Sequence, residues 1–147
     1  MNQIDLKNKI AVITGAAQGF GYAIAKRFVS SECKIILIDK DEVALSSAIK
    51  EDHIKSNIID HFILDITNYE DVKKTIDLIF KKHQGIDIFV NNAGIAGPSH
   101  KTWEYPNDDW NLVIDIDLNG TFNCCKAAIP YMIKKNYGRI VNIASIA

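Results

Sequence analysis

The sequence predicts a doubly wound α/β fold, in which helices cover both faces of a parallel sheet whose five strands lie in the order 3-2-1-4-5. Short apolar runs alternate with segments of helical periodicity along the whole chain, as they do where strands and helices take turns. The first two apolar runs are continuous, which is typical of strands buried on both faces. No internal repeat, low-complexity stretch or linker interrupts the pattern, so residues 1–147 are predicted to form one domain.

The first predicted unit is a strand, a glycine-rich turn and a helix. The strand covers residues 9–14 and the helix residues 19–30, with glycines at the junction. Residues without a Cβ let backbone N–H groups in a tight turn approach a diphosphate closely. The first turn of the helix adds unpaired N–H groups and the positive end of its dipole. We therefore predict a dinucleotide site, whose residues in this turn are Thr14, Gly15, Gln18, Gly19, Phe20 and Gly21.

The second predicted strand, residues 34–39, ends in an acid. Asp39 follows Gly21 by 18 residues and lies beside the glycine-rich turn. A carboxylate there can accept hydrogen bonds from both ribose hydroxyls and repels a 2′-phosphate, so NAD is favoured over NADP, although Lys40 would favour NADP. The alternative is that the glycines form an ordinary turn and that Asp39 caps the helix starting near Asp41, with the next residue completing a capping box.

The pattern continues in the same alternation through the middle of the chain. A helix is expected over residues 41–50 and a strand over residues 58–64. The following helix is expected to begin at a capping box formed by Thr67 and Glu70. Gly85 is expected to end it.

The remaining part of the chain is predicted to contain two strands separated by one long helix. The first strand covers residues 86–90, and a loop leads from it to the helix, for which Asp108 is the predicted cap. Pro130 is expected to kink the last turns of this helix. Gly138 closes it, and the fifth strand covers residues 139–144.

Composition and charge exclude several classes of partner. Hydrophobic residues make up 48% of the chain and charged residues 24%, as in ordinary globular proteins that bury a core. A net charge of −1 gives no reason to expect nucleic acid or anionic membranes as partners. No apolar run has the length of a membrane span or of a signal peptide, so we expect a cytoplasmic protein. The cysteines and histidines lack ligand spacing, so we expect small buried thiols and no metal site.

Four motifs in this order resemble the short-chain dehydrogenase/reductase family over the whole chain. They are Thr14-Gly15-x-x-x-Gly19-x-Gly21, Asp65, Asn91-Asn92-Ala93-Gly94, and Asn119 in the sequence DLNG together with the run from Gly138 to Ser145. Within the family the chain looks most similar to 3-oxoacyl-(acyl carrier protein) reductases and to sugar or small-alcohol dehydrogenases. The resemblance implies a Rossmann-type fold and an NAD(P)-dependent oxidoreductase.

The resemblance also implies roles for the cofactor-binding residues. The glycine-rich turn would hold the pyrophosphate and Asp39 the adenosine ribose, while Asp65 and the backbone of Ile66 would hold the adenine ring. The residues implied to line the cofactor and steady the sheet are Asn91, Ala93 and Gly94. From the residues alone, Asp65 is simply a polar strand end and the asparagines are turn formers.

The chemistry implied by the resemblance is hydride transfer between C4 of nicotinamide and the carbon of a secondary alcohol or ketone. In that reaction the substrate oxygen needs a hydrogen-bond donor and a proton partner. The resemblance assigns Ser145 to polarise this oxygen and Asn119 to hold a water in a proton relay. Periodicity alone places Asn119 in a solvated helical stripe with other polar residues.

The tyrosine and lysine that complete the family's site should follow Ser145, whereas the sequence ends at Ala147. We therefore expect a fragment of a longer enzyme that is inactive by itself, with strands and helices missing after the fifth strand. The alternatives are a nucleotide-binding module without catalysis and a remnant that neither folds stably nor binds. Tyr131 and Lys135 have the Y-x-x-x-K spacing but precede the fifth strand, so we interpret them as a packing aromatic and a solvated charge. The long helix resembles the family's subunit contact, which implies a homo-oligomer.

Overall fold

The computed structural model describes residues 4–145, and within this range the chain builds one parallel sheet. Its strands run in the spatial order β3-β2-β1-β4-β5, and every pairing is parallel. This order confirms the fold class and topology predicted from the sequence. The strands are β1 (Ile10–Thr14), β2 (Lys34–Asp39), β3 (Ile58–Ile63), β4 (Ile88–Asn91) and β5 (Arg139–Asn142).

Helices connect consecutive strands, beginning with α1 (Gly19–Val29) and α2 (Glu42–Ala48). The cap of α2 is Asp41, whose side chain accepts a hydrogen bond from the N–H of Ala44. An N-cap carboxylate pairs one of the N–H groups that the first turn of a helix leaves free. The carboxylate of Asp39 is therefore not used as the cap of α2.

Helix α3 (Tyr69–His83) begins one residue later than predicted. Its cap is Asn68, which accepts from the N–H of Asp71. The predicted capping box at Thr67 is wrong, because the N–H and hydroxyl of Thr67 both donate to Asp65 instead. The helix is capped by Gln84, which adopts a left-handed conformation, one residue before the Gly85 that was predicted to end it.

The long helix of the prediction is one helical stretch with an irregular middle. It consists of α4 (Asn107–Val113), a π-helical segment (Ile114–Gly120) and α5 (Thr121–Lys134). Pro106 occupies the N-cap position, and Asp108 lies inside the first turn. The predicted cap at Asp108 is therefore wrong, although its charge still complements the helix dipole.

Apolar side chains from the two faces of the sheet form two separate cores, one on each side. Along β1, Val12 faces the core shared with α3 and α5, and Ile13 faces the core shared with α1 and α2. Such alternation buries both faces of the sheet, which explains why the strands read as continuous apolar runs. Cys33 and Cys124 are buried in these cores as predicted, whereas Cys125 is half-buried.

The register of the strands brings their carboxyl ends together. Thr14 pairs with Ile38 and Ile13 pairs with Val90, so the loops that follow β1, β2 and β4 emerge side by side. In doubly wound sheets this edge is where ligands bind. No helix between residues 4 and 145 combines the length and the apolarity that a membrane span requires.

Candidate nucleotide-binding site

A cavity of about 350 Å³ opens at the carboxyl edge of the sheet. Its walls come from the loops after four strands, and the long helix contributes Ile116. The predicted cofactor-binding residues that line it are Gly15, Gln18, Gly19, Phe20, Asp39, Asp65, Ile66, Ala93 and Gly94. Thr14, Gly21 and Asn91 are not among the lining residues.

The glycine-rich turn leaves space where a diphosphate would need it. Gly15 and Gly19 both have positive φ, at 61° and 57°, a conformation that costs other residues energy. A Cβ on Gly19 would meet nothing within 4 Å, whereas a Cβ on Gly21 would lie 2.1 Å from the carbonyl oxygen of Gly15. Gly21 thus allows the turn to close on α1, and Gly19 exposes backbone to the cavity.

The N-terminus of α1 faces the cavity through Gly19 and Phe20. Gln18 occupies the cap position without a side-chain hydrogen bond to the helix, and the first turn has no acidic residue. The N–H groups and the positive end of the helix dipole are therefore not neutralised by a side chain of this turn. This end of α1 has the properties of an anion-binding site.

Asp39 connects β2 to the glycine-rich turn. Its Oδ2 accepts a hydrogen bond from the N–H of Ala17 at 2.9 Å, and its Oδ1 accepts one from the N–H of Asp41 at 3.1 Å. Each carboxylate oxygen can accept further hydrogen bonds, so both remain available to the hydroxyls of a ribose. Lys40 lines the same wall and brings a positive charge next to this carboxylate.

Asp65 forms the next wall, after β3. Its pKa is lowered, above all by the N–H of Thr67; burial opposes this effect, while the hydroxyl of Thr67 and the positive charge of Lys40 add to it. The carboxylate is exposed and accepts both hydrogen bonds from Thr67 through Oδ1. Asp65 is therefore an ionised acceptor beside Ile66.

Thr14 and Asn92 hold the glycine-rich turn against the loop after β4. The amide Nδ2 of Asn92 donates to the carbonyl oxygens of Thr14 and Gly15, each at 3.0 Å. In return, the N–H groups of Asn92 and Ala93 donate to Oγ1 of Thr14. Two neighbouring walls of the cavity are thereby joined by four hydrogen bonds.

The two adjacent asparagines point in different directions. Asn91 is buried, and its Nδ2 donates to Oδ1 of Asn142 at 2.8 Å and to Sγ of Cys125 at 3.3 Å. Its Oδ1 has no hydrogen-bond partner within residues 4–145. The sequence prediction selected Asn91 and missed Asn92, which lines the cavity. Side chains alternate along a strand, and this rule would have separated the two asparagines.

The structure does not bring Asn119 to the cavity. Its Nδ2 donates to Oδ1 of Asp115 at 2.8 Å on the exposed side of the π-helical segment. Asp117, two residues earlier, instead accepts a hydrogen bond from the N–H of the lining residue Ile95 at 2.9 Å. Asp117 also lies against Gly94, where a Cβ would come within 3.2 Å of its Oδ1. Interruptions of this kind in an α-helix occur frequently at functional sites.

The remaining candidates lie at opposite ends of the sheet. Ser145 is exposed and follows β5 at the carboxyl edge. Tyr131 donates its hydroxyl to Asp77 at 2.6 Å and stacks on Phe80, as expected of a packing aromatic. Lys135 is not the solvated charge that was expected, because it pairs with the buried Asp87 at 2.9 Å, at the amino end of β4.

Comparisons with known proteins agree with this geometry. A family model of short chain dehydrogenases matches residues 9–147. The 3-oxoacyl-(acyl-carrier-protein) reductase FabG of Thermotoga maritima is 34% identical over 141 residues, which cover 96% of this chain and 57% of that protein.

Two solved structures resemble the fold closely. One is an NAD+-bound xylitol dehydrogenase, 35% identical with a TM-score of 0.90 over 97% of this chain and 55% of that one. The other is the ligand-free aldohexose dehydrogenase of Thermoplasma acidophilum, 37% identical with a TM-score of 0.82 over 95% and 50% of the two chains. The chain thus spans about half the length of these proteins. Because the family match runs through nearly all of its sequence, the chain belongs to the short chain dehydrogenase family.

Proposed function

We propose that this chain forms the nucleotide-binding part of an NAD(H)-dependent short-chain oxidoreductase that acts on a secondary alcohol or ketone. The observation that carries the proposal is the cavity in which the glycine-rich turn, the N-terminus of α1 and Asp39 meet. A dinucleotide needs an anion site next to a ribose acceptor. The cavity provides both within one continuous wall.

Each part of the cofactor has a matching group in the cavity. The backbone around Gly19 and the first turn of α1 would bind the diphosphate, and Asp39 would accept hydrogen bonds from the adenosine ribose. Asp65 and Ile66 would contact the adenine ring. NAD is favoured over NADP because a 2′-phosphate would meet the negative charge of Asp39, although Lys40, which lines the same cavity, would favour NADP.

The bound nicotinamide would supply or accept the hydride. The serine hydroxyl of Ser145, at the carboxyl edge of the sheet, is proposed to donate a hydrogen bond to the substrate oxygen and to stabilise the charge that develops there. Asn119 stays a prediction from the family resemblance, since its amide is bonded to Asp115 on the exposed side of the helix.

A second candidate function is nucleotide binding without catalysis. It is favoured by the positions of Tyr131 and Lys135, which are bonded to Asp77 and Asp87 and lie away from the cavity. This tyrosine and lysine cannot serve a substrate bound at the carboxyl edge of the sheet. Catalysis by the chain would therefore require an acid–base group other than this pair.

Self-association through the long helix is part of the proposal. Leu118, Phe122 and Ile133 are 60%, 60% and 72% exposed along one helical stretch. Large apolar side chains exposed in a row mark surfaces that bind another protein. We propose that a second copy of the chain covers them in a homo-oligomer.

Calorimetric titration of the purified chain with NADH and with NADPH tests the proposed function. We expect saturable binding of NADH with a lower Kd than that of NADPH. Binding without turnover of secondary alcohols would favour the second candidate. If neither nucleotide bound, both candidates would be wrong.

A further inference from the structure

The long helix contacts the wall of the cavity that follows β3. Asn123, in the first turn of α5, extends its amide toward the loop between β3 and α3. Its Nδ2 donates to the carbonyl oxygen of Ile66 at 3.0 Å and to that of Thr67 at 3.2 Å. One amide group thus binds two consecutive carbonyls of the loop that carries Asp65.

Close packing supports the same contact. The buried side chain of Ile66 lies against Gly120, where a Cβ would come within 2.6 Å of Cγ1 and Cδ1 of Ile66. The helix can approach the loop this closely only because residue 120 has no side chain. Ile116, one turn earlier, lines the cavity itself. The β3–α3 loop is therefore fixed to the helix by packing at Gly120 and by hydrogen bonds at Asn123.

The hydrogen bonds of this loop form a short chain from the helix to the cavity. Asn123 holds the carbonyl of Thr67, and the N–H and hydroxyl of Thr67 hold the carboxylate of Asp65. A shift of Thr67 would move Asp65 with it. The orientation of this carboxylate thus depends on a helix residue that lies outside the cavity lining.

We propose that Asn123 is a positioning residue for nucleotide binding. Its two amide N–H donors fix the position of the loop that carries Asp65 and Ile66. The inference rests on the proposed function, because it assigns to this wall the adenosine half of the dinucleotide. Asn123 acts through the loop and does not touch the ligand. Its contribution comes from donating hydrogen bonds and not from filling space.

The test is titration of NADH into wild-type chain and into Asn123→Leu, which keeps most of the side-chain volume and removes both donors. Since one hydrogen bond contributes about 1 kcal/mol, which corresponds to a change of about fivefold in affinity, we expect the Kd to rise at least about fivefold. Asn111→Leu is the matched control, because Asn111 is exposed on α4 and outside the cavity lining. It should bind NADH as the wild-type chain does.

The variant Asn123→Asp distinguishes the effect of hydrogen-bond donation from the effect of side-chain shape. Aspartate has the size of asparagine but, when ionised, only accepts hydrogen bonds, so it should repel the two carbonyls and weaken binding at least as much as leucine does. If Asn123 served only to fill space, Asn123→Asp would bind like the wild-type chain, and the inference would be wrong. Thermal unfolding of each variant identifies any that is not folded at the titration temperature, and Asn123→Leu decides the matter if the aspartate variant unfolds.

The two proposals fail in different ways. If the wild-type chain binds no NADH, the proposed function is wrong and the inference falls with it. If the wild-type chain binds NADH and Asn123→Leu binds it equally well, only the role of Asn123 is wrong.

Discussion

At the residue scale, Asp39 has a structural role and a proposed binding role at the same time. Its carboxylate accepts the N–H of Ala17 in the glycine-rich turn and that of Asp41 at the start of α2. Asp39 also lines the cavity. A substitution here therefore changes both the shape of the turn and the group offered to a ribose.

Replacing Asp39 by alanine should weaken the binding of NADH more than the binding of NADPH. The loss of a charge-assisted hydrogen bond to a ribose is worth about 1.5–3 kcal/mol, which corresponds to a rise of about tenfold to a hundredfold in the Kd for NADH. The affinity for NADPH should fall less, because the substitution also removes the repulsion between the carboxylate of Asp39 and the 2′-phosphate. Calorimetric titration with both nucleotides measures the change in preference.

Asp41→Ala is the control for this prediction. Asp41 caps α2 and does not line the cavity, so the variant should lose about 1 kcal/mol of stability and keep its affinity for NADH. An unchanged preference in Asp39→Ala would contradict the ribose assignment.

Individual site residues were predictable from the sequence where backbone geometry dictates the residue type. Gly15 and Gly19 have the positive φ that glycine tolerates best, and Asp39 ends its strand beside them. The position of Asn92 could have been predicted from the alternation of side chains along β4. That of Asp117 could not, because the direction of a side chain in a π-helical segment depends on local backbone geometry. Asn119 and Asp117 differ by only two positions, yet a helix turns them to different sides.

At the element scale, α5 is anchored to the amino end of the sheet by an ion pair. Lys135, just after α5, pairs with the buried carboxylate of Asp87, whose other oxygen accepts the N–H of Ile10. A buried carboxylate that loses its partner destabilises the folded state. This pair lies at the edge of the sheet opposite to the cavity.

Lys135→Met should therefore lower stability without changing nucleotide binding. Because Lys135 is 38% exposed, water can partly replace it, so we expect a loss of about 1–3 kcal/mol, less than for a fully buried pair. Urea unfolding measures the loss, and titration with NADH at a temperature where the variant is folded should give the wild-type Kd. A folded variant with weakened NADH binding would show that this lysine contributes to the site.

A second element contact depends on pH. Asp60 of β3 accepts hydrogen bonds from His83 and Lys82 at the end of α3. Burial raises the pKa of Asp60, but the hydrogen bonds from His83, Lys82 and the N–H of His61, together with the charge of Lys82, outweigh it, so that the pKa is lowered.

A carboxyl with a lowered pKa in the folded state stabilises the protein above its unfolded pKa, near 3.9, and loses this effect as the pH falls through the folded value. We therefore expect wild-type chain to be more stable than Asp60→Asn at pH 7, and the difference to shrink below about pH 4. Urea midpoints at both pH values measure the difference. A difference that stays constant with pH would show that Asp60 contributes through its shape alone.

Elements were more predictable than their ends. The periodicity of apolar residues placed every strand and helix of the sheet, because burial on the core-facing side is set by the sequence itself. The ends shifted where side chains had a choice of partner: Thr67 bonds Asp65 and leaves the cap of α3 to Asn68. The π-helical segment was not predictable, because its apolar residues continue the helical pattern of the sequence and only the backbone hydrogen bonding changes there.

At the scale of the whole molecule, several of the exposed large apolar side chains lie on one continuous helical stretch, residues 107–134. Leu118, Phe122 and Ile133 lie on the helix that carries Asn123 toward the cavity. If a second copy covers this stretch, association and nucleotide binding share one helix. The oligomeric state of the chain is therefore measured both with and without the nucleotide.

Phe122→Glu should shift the chain toward the monomer. A charge placed in a buried apolar contact destabilises it strongly, so we expect sedimentation to show an oligomer for the wild-type chain and a monomer for the variant at micromolar concentrations. Val43→Glu is the matched control, because Val43 is also apolar and is 78% exposed, against 60% for Phe122, but lies on α2. A wild-type chain that sediments as a monomer would contradict the proposed homo-oligomer.

The amide of Asn92 has a consequence for the order in which the site is assembled during synthesis. Strands β1, β2 and β3 and helix α3 all precede residue 92 in the chain, so a ribosome releases most of the cavity before it releases the group that fastens the carbonyls of Thr14 and Gly15. A nascent chain that ends before residue 92 would contain the glycine-rich turn but not the amide that donates hydrogen bonds to it. We therefore expect affinity for the nucleotide to arise only after β4 has been released and has joined β1.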